Sequence, residues 1–411
     1  MGHSRRLRVL VVHNRDFAAE GEATAADDPE RVSRADVENA ARDVAKALAA
    51  RGHHVETVAI PPDPFAAVGV AVDIAARAPD LVFNLCESLG GDARHEAVLP
   101  SLFELAGVRY TGSGPLALAT ALRKDRAKAL LRAHGVPTPA AAVSLDGSLP
   151  AALPPLPCIV KPAREDASTG ISLKSVVRTQ KELAARVAAV HARYRQPILI
   201  EQFIAGRELY VSLLGNSSDL VALPMHEVDF SAMPAGAPHI VTYDGKWDPS
   251  SQEYKGTRSV RAAVTLETES RCHAAARAAF AALELSDYAR VDLRLAADGT
   301  PYVIDVNPNC DLSDGAGVCR AASFGGLAYP DLIGRVVDAA MSRHERAKTN
   351  VVRDRAARAA TRAPARAPAA SRHPPAPAAR SRAAASAPDE GRTVHARGNR
   401  GRARASRRRA R

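Results

Sequence analysis

Cysteine, lysine and aromatic residues are all scarce in this chain of 411 residues. Its five cysteines (Cys86, Cys158, Cys272, Cys310 and Cys319) are odd in number, widely scattered and free of any C-x-x-C pair. That pattern indicates neither a disulfide framework nor a zinc cluster. Scattered thiols of this kind are typical of a reducing compartment, so we expect a cytoplasmic protein.

Long hydrophobic runs are missing as well. No stretch approaches the roughly 20 apolar residues that a membrane-spanning helix needs. Arg5, Arg6 and Arg8 interrupt the N-terminus, and the apolar residues 9–12 are too few for a signal peptide. With 46% hydrophobic and 25% charged residues, the chain has the composition of a globular protein, and we expect no membrane partner.

Acidic residues are nearly absent from the C-terminal segment. Residues 346–411 hold 19 Lys and Arg against 3 Asp and Glu, a charge of +16, so residues 1–345 carry −5 of the net +11. The segment is rich in Ala, Arg and Pro, and we predict a disordered tail because it cannot bury enough apolar surface. Its arginine clusters are suited to weak, non-specific nucleic-acid binding. The alternative is that the arginines only reflect a proteome rich in Arg and Ala. The lack of aromatic residues that would stack on bases favours this alternative.

Lysine is the rarer cation, with 9 lysines against 47 arginines. Because the chain uses arginine wherever a generic positive charge suffices, the few lysines stand out. Lys124, Lys161 and Lys246 are the lysines that we single out for a specific role.

Strands and helices alternate in the first third of the chain. Residues 7–12, 54–60 and 81–85 have the apolar pattern of buried strands, and helices are predicted from Ser33, at 68–76 and at 96–106. This order predicts a parallel, doubly wound sheet. Residues 109–114 are predicted to form a final short strand and turn.

Two further groups of strands and helices are predicted beyond it. The helices are at 115–135, 180–194, 267–283 and 329–341, and the strands are at 158–161, 173–177, 197–202, 207–215, 220–228, 288–295 and 301–306. The strands at 207–215 and 220–228 are candidates for a hairpin, and Asp298-Gly299 predicts a tight turn between the last two strands.

The last two predicted strands carry a concentration of polar groups. If these strands are antiparallel, Arg290 and Asp292 share one face of the first, and Asp305 and Asn307 share one face of the second. Two carboxylates and an amide form an oxygen-only set that suits Mg²⁺ shared with substrate phosphates. The alternative is that Asp292 pairs with Arg290 while Asp305 and Asn307 cap a loop.

A second motif is the strand end Val160-Lys161-Pro162, which opens into a loop with Ser168, Thr169 and Gly170. Small residues let backbone amides approach a phosphate, and lysine supplies a point charge. No G-x-x-x-x-G-K-[ST] run is present, so this is not a P-loop. The alternative is a structural Lys-Pro pair.

A third motif is the apolar strand that ends in Glu201 and is followed by Glu208. Glu201 could accept a hydrogen bond from an exocyclic amine, and Glu208 could hold ribose hydroxyls. The alternative is a plain strand, a glycine turn and exposed acids.

In order and spacing, the three motifs together resemble the ATP-grasp superfamily and, within it, the D-alanine–D-alanine ligase family, over about residues 80–340. The resemblance implies an α/β fold of an N-terminal doubly wound domain and two α+β subdomains that clasp ATP. The implied segments are residues 1–117, 118–205, 206–345 with the metal site, and the tail at 346–411.

The resemblance also implies a role for each residue of the motifs. Lys124, Lys161 and the loop residues Ser168, Thr169 and Gly170 would contact ATP phosphates, while Glu201, Phe203, Ile204, Glu208 and Ile304 would bind adenosine. Asp292, Asp305 and Asn307 would hold two Mg²⁺ ions, with Mn²⁺ as an alternative. Lys246 would meet the phosphates when its loop closes, and Arg290 would stabilise an oxyanion.

Amino-acid recognition departs from the family pattern. Asp311 stands where a glycine is expected, close to the place of the second substrate's carboxylate, which it would repel. Glu87, Arg94, His95 and Glu96 are candidates for altered specificity, or they cap a strand and a helix. His95, His226 and His239 share no catalytic or metal-binding spacing and are treated as ordinary polar residues.

Together these features predict an ATP- and Mg²⁺-dependent ligase that joins small-molecule carboxylate and amine substrates through an acylphosphate. The alternatives are an ATP-grasp ligase with a non-amino-acid substrate and a silent ATP-binding module whose tail binds nucleic acid. A homodimer is left open.

Overall fold

The structure is a computed structural model that describes residues 6–15 and 31–362. The predicted disordered tail lies outside the described residues beyond Arg362. Within the described part of the chain, no helix is long and apolar enough to cross a membrane. By its internal packing the chain divides into a compact unit, Met1–Ala356, and a second unit, Ala357–Arg411, of which the structure describes only the helical residues up to Arg362.

The N-terminal region is a parallel sheet with helices on both faces. Its elements are strands β1 (Arg8–Asn14), β2 (His54–Ile60) and β3 (Leu81–Asn84), with helices α1 (Arg31–Ala50), α2 (Pro64–Arg77) and α3 (Val98–Ala106). The strands lie in the order β2-β1-β3. Val9 and Val11 pack towards α1, while Leu10 and Val12 pack towards α2 and α3, as strand alternation requires. The predicted doubly wound arrangement is confirmed.

A four-stranded antiparallel sheet follows. Its region contains helices α4 (Pro115–Leu122), α5 (Lys124–Ala133) and α6 (Gln180–Tyr194), and strands β4 (Ala141–Ser144), β5 (Cys158–Pro162), β6 (Val176–Val177) and β7 (Ile198–Gln202). The strand order is β4-β7-β5-β6. The single helix predicted at 115–135 is wrong, because Arg123 has non-helical backbone angles (φ −89°, ψ 84°) and separates α4 from α5.

The remaining strands form a larger antiparallel sheet that carries the predicted metal ligands. Its strands are β8 (Arg207–Leu214), β9 (Val221–Ala222), β10 (His226–Asp229), β11 (Arg258–Arg261), β12 (Tyr288–Leu295) and β13 (Pro301–Asn307). The helices are α7 (Tyr243–Trp247), α8 (Gln252–Gly256), α9 (Leu266–Ala282), α10 (Gly317–Phe324) and α11 (Tyr329–Arg362). The order is β11-β10-β8-β12-β13, with β9 beside β8. The antiparallel pairing of the last two strands is confirmed, and so is the hairpin, except that the strand predicted at 220–228 is interrupted and forms the separate strands β9 and β10, which both pair with β8.

Several boundaries differ from those expected. The segment predicted as a strand at 173–177 begins with a 3₁₀ turn, and only Val176–Val177 is extended. The region 109–114 contributes one bridge, from Tyr110 to Val82, rather than a strand. Helix α11 continues to Arg362, so the predicted start of the tail at residue 346 falls within a helix.

Candidate active site

A cavity of about 930 Å³ brings most of the predicted site residues together. The cavity is lined by every residue that we predict to bind nucleotide or metal or to act in catalysis, except Lys124 and Gly170. The walls come from loop 162–172, helix α7, the β7–β8 connection and strands β12 and β13. The three sequence motifs therefore converge in space, although up to about 140 residues of chain separate them.

Asp292 and Asp305 face each other across β12 and β13. The register pairs Asp292 with Asp305 and Arg290 with Asn307, and it shifts between Asp292 and Leu293. The shift is a β-bulge that leaves Ile304 as the extra residue of β13. Because of it, Val303 and Val306 both pack into the core, and Asp305 lines the cavity between them.

Each of these carboxylates is matched by a cation. Lys124 Nζ lies 3.0 Å from both Oδ1 and Oδ2 of Asp305 and 3.0 Å from Oδ1 of Asp166. Arg290 donates from Nε and Nη2 to the two oxygens of Asp292, at 2.7 and 2.9 Å. The pairing of Asp292 with Arg290, an alternative left open by the sequence, is therefore present, and it leaves further lone pairs on both oxygens.

Burial and charge act in opposite directions on these acids. Burial raises the pKa of Asp292, and Arg290 opposes that shift. Burial would also raise the pKa of Asp305, but Lys124 and Lys161 outweigh it and hold the pKa below its usual value. A carboxylate kept ionised in a partly buried place is suited to binding a cation.

The donor set fits a hard divalent cation. Asn307 Nδ2 lies 3.3 Å from Asp292 Oδ2, which leaves the amide oxygen of Asn307 as a ligand atom. Within residues 6–15 and 31–362, no three His, Cys, Asp or Glu side chains form a metal cluster. Two carboxylates and one amide oxygen suit Mg²⁺, which commonly takes its remaining ligands from water and substrate phosphates.

The loop after β5 contains several residues with left-handed backbone angles. Ala167 and Ser168 have left-handed backbone angles, and so does Gly170, at φ +76°. A Cβ on Gly170 would lie 2.7 Å from Cγ of Pro162, so glycine is needed there for space as well as for backbone freedom.

The same loop is joined to helix α7. Trp247 Nε1 donates to the carbonyl oxygen of Ala167 at 3.1 Å, and the amide of Tyr243 donates to that of Ile171 at 3.0 Å. Lys246, between them, lies with Nζ 4.7 Å from the ring centroid of Trp247. Burial is the largest cause of the lowered pKa of Lys246, with Arg290 adding to it.

At the predicted adenine end, Glu201 is held by two lysines. Its Oε2 contacts Lys128 Nζ closely, and its Oε1 lies 3.5 Å from Lys161 Nζ. Burial lowers the pKa of Lys128 to about 8 despite the attraction of Glu201. Sequence reasoning gave no role to Lys128, although its position four residues after Lys124 on α5 is a signal that both lie on one helix face.

Glu208, the predicted ribose acid, is also bonded on both oxygens. Tyr210 donates from its hydroxyl to Oε1 at 2.8 Å, and Arg294 donates from Nη1 to Oε2 at 2.9 Å. Sequence reasoning missed both partners. The available signal was strand alternation, which puts Arg294 on the same face as Asp292 and Tyr210 on the same face as Glu208.

The end of the cavity nearest the N-terminal sheet is rich in acids. Glu87, Glu96 and Asp311 line it, and burial followed by the charges of Asp166 and Glu87 raises the pKa of Glu96 well above its usual value. Asp311 Oδ1 accepts from the amide and the hydroxyl of Ser313, at 2.8 and 2.6 Å.

Arg94 and His95, two of the specificity candidates, make local contacts instead of lining the cavity. Arg94 pairs with Asp92, and His95 Nδ1 lies 3.1 Å from the carbonyl oxygen of Leu89. For these two residues, the structural alternative of capping the segment before α3 agrees with the observed contacts.

His226, treated above as an ordinary polar residue, lines the cavity. It is 2% exposed and Nδ1 has no hydrogen-bond partner among the described residues. Its ring contacts Tyr210 edge-on at 4.9 Å. Burial is the main cause that lowers the pKa of His226 to about 3, with Arg290 and Arg320 adding to it. His239, by contrast, stacks on Phe230.

Known proteins resemble this chain in sequence and in fold. Residues 151–338 match the family model described as the D-ala D-ala ligase C-terminus. Protein y4sG of Sinorhizobium fredii is 35% identical over 285 residues, covering 69% of this chain and 79% of the relative. A D-alanine–D-alanine ligase of Chromohalobacter salexigens is 34% identical over 268 residues, covering 64% of this chain and 78% of the relative.

Solved structures show the same architecture at lower identity. The D-alanine–D-alanine ligase from Bacillus anthracis complexed with ATP superposes with a TM-score of 0.61 at 19% identity, covering 83% of this chain and 99% of that structure. The ligase from Coxiella burnetii gives a TM-score of 0.61 at 17% identity, covering 87% of this chain and 100% of that structure.

Fold and relatives together define an ATP-grasp protein of mixed α/β architecture, as the sequence predicts. The relatives narrow this class further. The chain belongs to the D-alanine–D-alanine ligase family, and it is an ATP-dependent, ADP-forming ligase that makes C–N bonds. Its reaction uses ATP with a divalent metal ion.

Proposed function

We propose that this ligase joins a small carboxylate to an amine, both amino acids or related molecules, through an acylphosphate. The observation that carries this proposal is the cross-strand pair of Asp292 and Asp305, which lines one cavity with Arg290 and Lys161, while Lys124 bonds Asp305 from outside the lining. Such a site is suited to reactions in which the protein supplies positioning and charge stabilisation rather than a covalent intermediate.

Phosphoryl transfer comes first in the proposed sequence. Lys124, Lys161 and the loop around Ser168, Thr169 and Gly170 hold the ATP phosphates in line with the attacking carboxylate. The carboxylate oxygen forms a bond to the γ-phosphorus, the bond to the β-phosphate oxygen breaks, and ADP results. Asp292, Asp305 and Asn307 would hold two Mg²⁺ ions, with Mn²⁺ as an alternative, and bound ions supply neutralisation of phosphate charge.

Amide formation follows. The amine attacks the acyl carbon, and the guanidinium of Arg290 stabilises the oxyanion of the tetrahedral intermediate. The intermediate collapses as phosphate leaves, and the departing phosphate takes up the proton that the amine loses. Lys246, carried by α7 over the cavity, would contact the phosphates and keep water away from the acylphosphate.

The nucleotide would lie between the central and C-terminal segments proposed at 118–205 and 206–345. Glu201 and the backbone around Phe203 and Ile204 would contact adenine, with Ile304 below the ring, and Glu208 would bind ribose. The segment at 1–117 would supply the substrate side. We also propose a homodimer and a cytoplasmic location, with which these assignments are compatible.

D-alanine is the first candidate substrate because it appears in the names of the relatives. Asp311 argues against D-alanine as the second substrate. This residue lines the cavity, and its negative charge would repel the carboxylate of a second D-alanine bound beside it. We therefore propose an acceptor without a carboxylate close to Asp311.

Phosphate release from ATP with a panel of amino acids and simple amines tests this function. A productive pair should release ADP and phosphate in step with product. Asp305→Asn should lower turnover by at least about a hundredfold, because it removes a charge beside the reacting phosphates. Asp298→Asn, in the exposed turn before β13, is the matched control. Near-normal turnover in Asp305→Asn would refute the metal assignment.

The second candidate, a silent ATP-binding module whose tail binds nucleic acid, depends on residues outside the described part of the chain. The cation-matched carboxylates Asp292 and Asp305 favour catalysis over silence. ATP binding without phosphate release across the whole panel would favour the silent module.

A further inference from the structure

Arg294 is hydrogen-bonded to several segments of the chain at the end of the cavity where we expect the nucleotide. It lies on β12, two residues after Asp292, and is 3% exposed. Its Nε donates to the carbonyl oxygen of Ile204 at 2.9 Å, and its Nη1 donates to Glu208 at 2.9 Å and to the carbonyl oxygen of His239 at 2.8 Å. Its guanidinium carbon lies 4.8 Å from the ring centroid of Phe203.

Glu208 is thereby gripped from two sides. Arg294 bonds Oε2 and the hydroxyl of Tyr210 bonds Oε1. Each carboxylate oxygen accepts about two hydrogen bonds, so one position on each oxygen remains for a ligand. Burial raises the pKa of Glu208, and the charge of Arg294 opposes that rise and favours the ionised, purely accepting form.

Stability alone is a weak reason for this pair. A buried Arg–Glu pair is often no more stabilising than apolar residues of the same volume, because both charges lose their hydration. Arg294 Nη2 is buried without a hydrogen-bond partner among the described residues, which adds to that cost. A functional requirement on Glu208 accounts for keeping the pair.

We propose that Arg294 is a positioning residue for the nucleotide, which fixes the Glu208 carboxylate so that it accepts hydrogen bonds from the ribose hydroxyls. The inference rests on the proposed function, in which Glu208 is the ribose acid. Arg294 lies outside the three sequence motifs. The inference predicts that the preference of the protein for ATP over its deoxyribose analogues depends on Arg294.

The test compares the affinity of the full chain for ATP, 2′-deoxy-ATP and 3′-deoxy-ATP by calorimetry with Mg²⁺. A hydrogen bond to a charged group corresponds to a preference of about tenfold or more, so wild type should bind ATP at least about tenfold tighter than one of the deoxy analogues. Arg294→Met should reduce that preference to about twofold or less. A purely structural role would weaken all three nucleotides equally and leave the ratio unchanged.

Two further variants keep the test decisive if Arg294→Met folds poorly. Arg294→Lys keeps the charge and should retain part of the preference, and Tyr210→Phe removes the second donor and should lower it. Arg207→Met is the matched control, since Arg207 is a half-exposed arginine on β8 that pairs with Glu227. It should keep the wild-type ratio.

The outcomes separate the inference from the function on which it rests. A full preference for ATP in Arg294→Met or, where that variant does not fold, in both Arg294→Lys and Tyr210→Phe, would overturn the inference while the ATP site stands. Tight binding of all three nucleotides by wild type would remove the ribose role of Glu208 and the inference with it. No ATP binding by wild type would contradict the proposed function itself.

Discussion

Glu201 is a buried carboxylate that two lysines contact. It is 2% exposed and contacts both Lys128 and Lys161, so two positive charges meet one negative charge in a place with little water. Burial lowers the pKa of Lys128 to about 8, and the charge of Lys161 adds to that shift while Glu201 opposes it. A polyphosphate bound nearby would relieve the excess positive charge.

His226 should make the protein sensitive to acid. Its pKa is about 3 in the folded chain, against about 6.5 unfolded, because burial disfavours the imidazolium. Between these values the unfolded state binds a proton that the folded state does not, so stability falls as pH falls. From pH 6.5 to 5 this linkage amounts to about 1.5 kcal/mol.

Urea unfolding at several pH values checks this expectation. His226→Gln should lose about 1.5 kcal/mol less than wild type over that interval. His134→Gln, which changes an exposed histidine on a helix end, should follow wild type. Equal acid sensitivity of wild type and His226→Gln would contradict the assignment of a neutral, buried imidazole.

At the scale of elements, the loop after β5 depends on Gly170. Its φ of +76° and the nearby Pro162 leave no place for a Cβ. Gly170→Ala should displace the loop and weaken ATP binding about five- to thirtyfold, since an L-residue in this region costs about 1–2 kcal/mol. Calorimetric titration with ATP is the measurement.

Gly52→Ala is the control for this change. Gly52 follows α1 and has a φ of +86°, but a Cβ added there would meet no atoms within 4 Å. The substitution should lower stability without changing ATP affinity. An unchanged dissociation constant in Gly170→Ala would show that the loop does not hold the phosphates.

The loop after β13 should make the protein a poor D-alanine–D-alanine ligase. Asp311 is fixed by its two hydrogen bonds from Ser313, and its charge would oppose a second carboxylate. Dipeptide formation from D-alanine and ATP should be weak in wild type and stronger in Asp311→Gly. Asp314→Gly, which changes an exposed residue, serves as the control. Efficient dipeptide synthesis by wild type would contradict this prediction and would indicate the same specificity as the named relatives.

The sequence predicted those elements whose pattern is local and strong. The parallel sheet, its helices and the antiparallel β12–β13 pair follow from apolar periodicity and the Asp298-Gly299 turn. Strand β11 was missed because its four residues, Arg258–Arg261, include two arginines at a sheet edge. Helix α10 was missed because no side chain caps its start.

Site residues divide in the same way. Residues at strand ends within recognisable motifs could be named, and the cavity brings nearly all of them together. Their partners could not be named, because contacts such as Arg294 with Glu208 join positions 86 residues apart. The bulge at Ile304, which sets the direction of Asp305, depends on a strand register that the sequence does not encode locally.

At the scale of the whole molecule, the predicted tail should be dispensable for catalysis. Truncation after Arg362 keeps every described element, so turnover and ATP affinity should be unchanged. Loss of turnover would show that the tail belongs to the enzyme. Nucleic-acid affinity that disappears on truncation and falls with salt would support the binding role for its arginines.

Truncation after Ser342 is the contrasting case. It removes Arg343, which lies 2.9 Å from the fully buried Asp287, and His344, which contacts Tyr110. An unpaired buried carboxylate destabilises by about 3–5 kcal/mol, so this shorter chain should unfold more readily in urea.

The contact between Trp247 and Ala167 has a practical consequence. The chain contains a single tryptophan, and its indole joins helix α7 to the loop after β5 in the wall of the cavity. Its emission wavelength and intensity therefore report on that one place. Any change in this contact when ATP is added can be followed in real time by intrinsic fluorescence, with no label attached and no second indole to mask the signal.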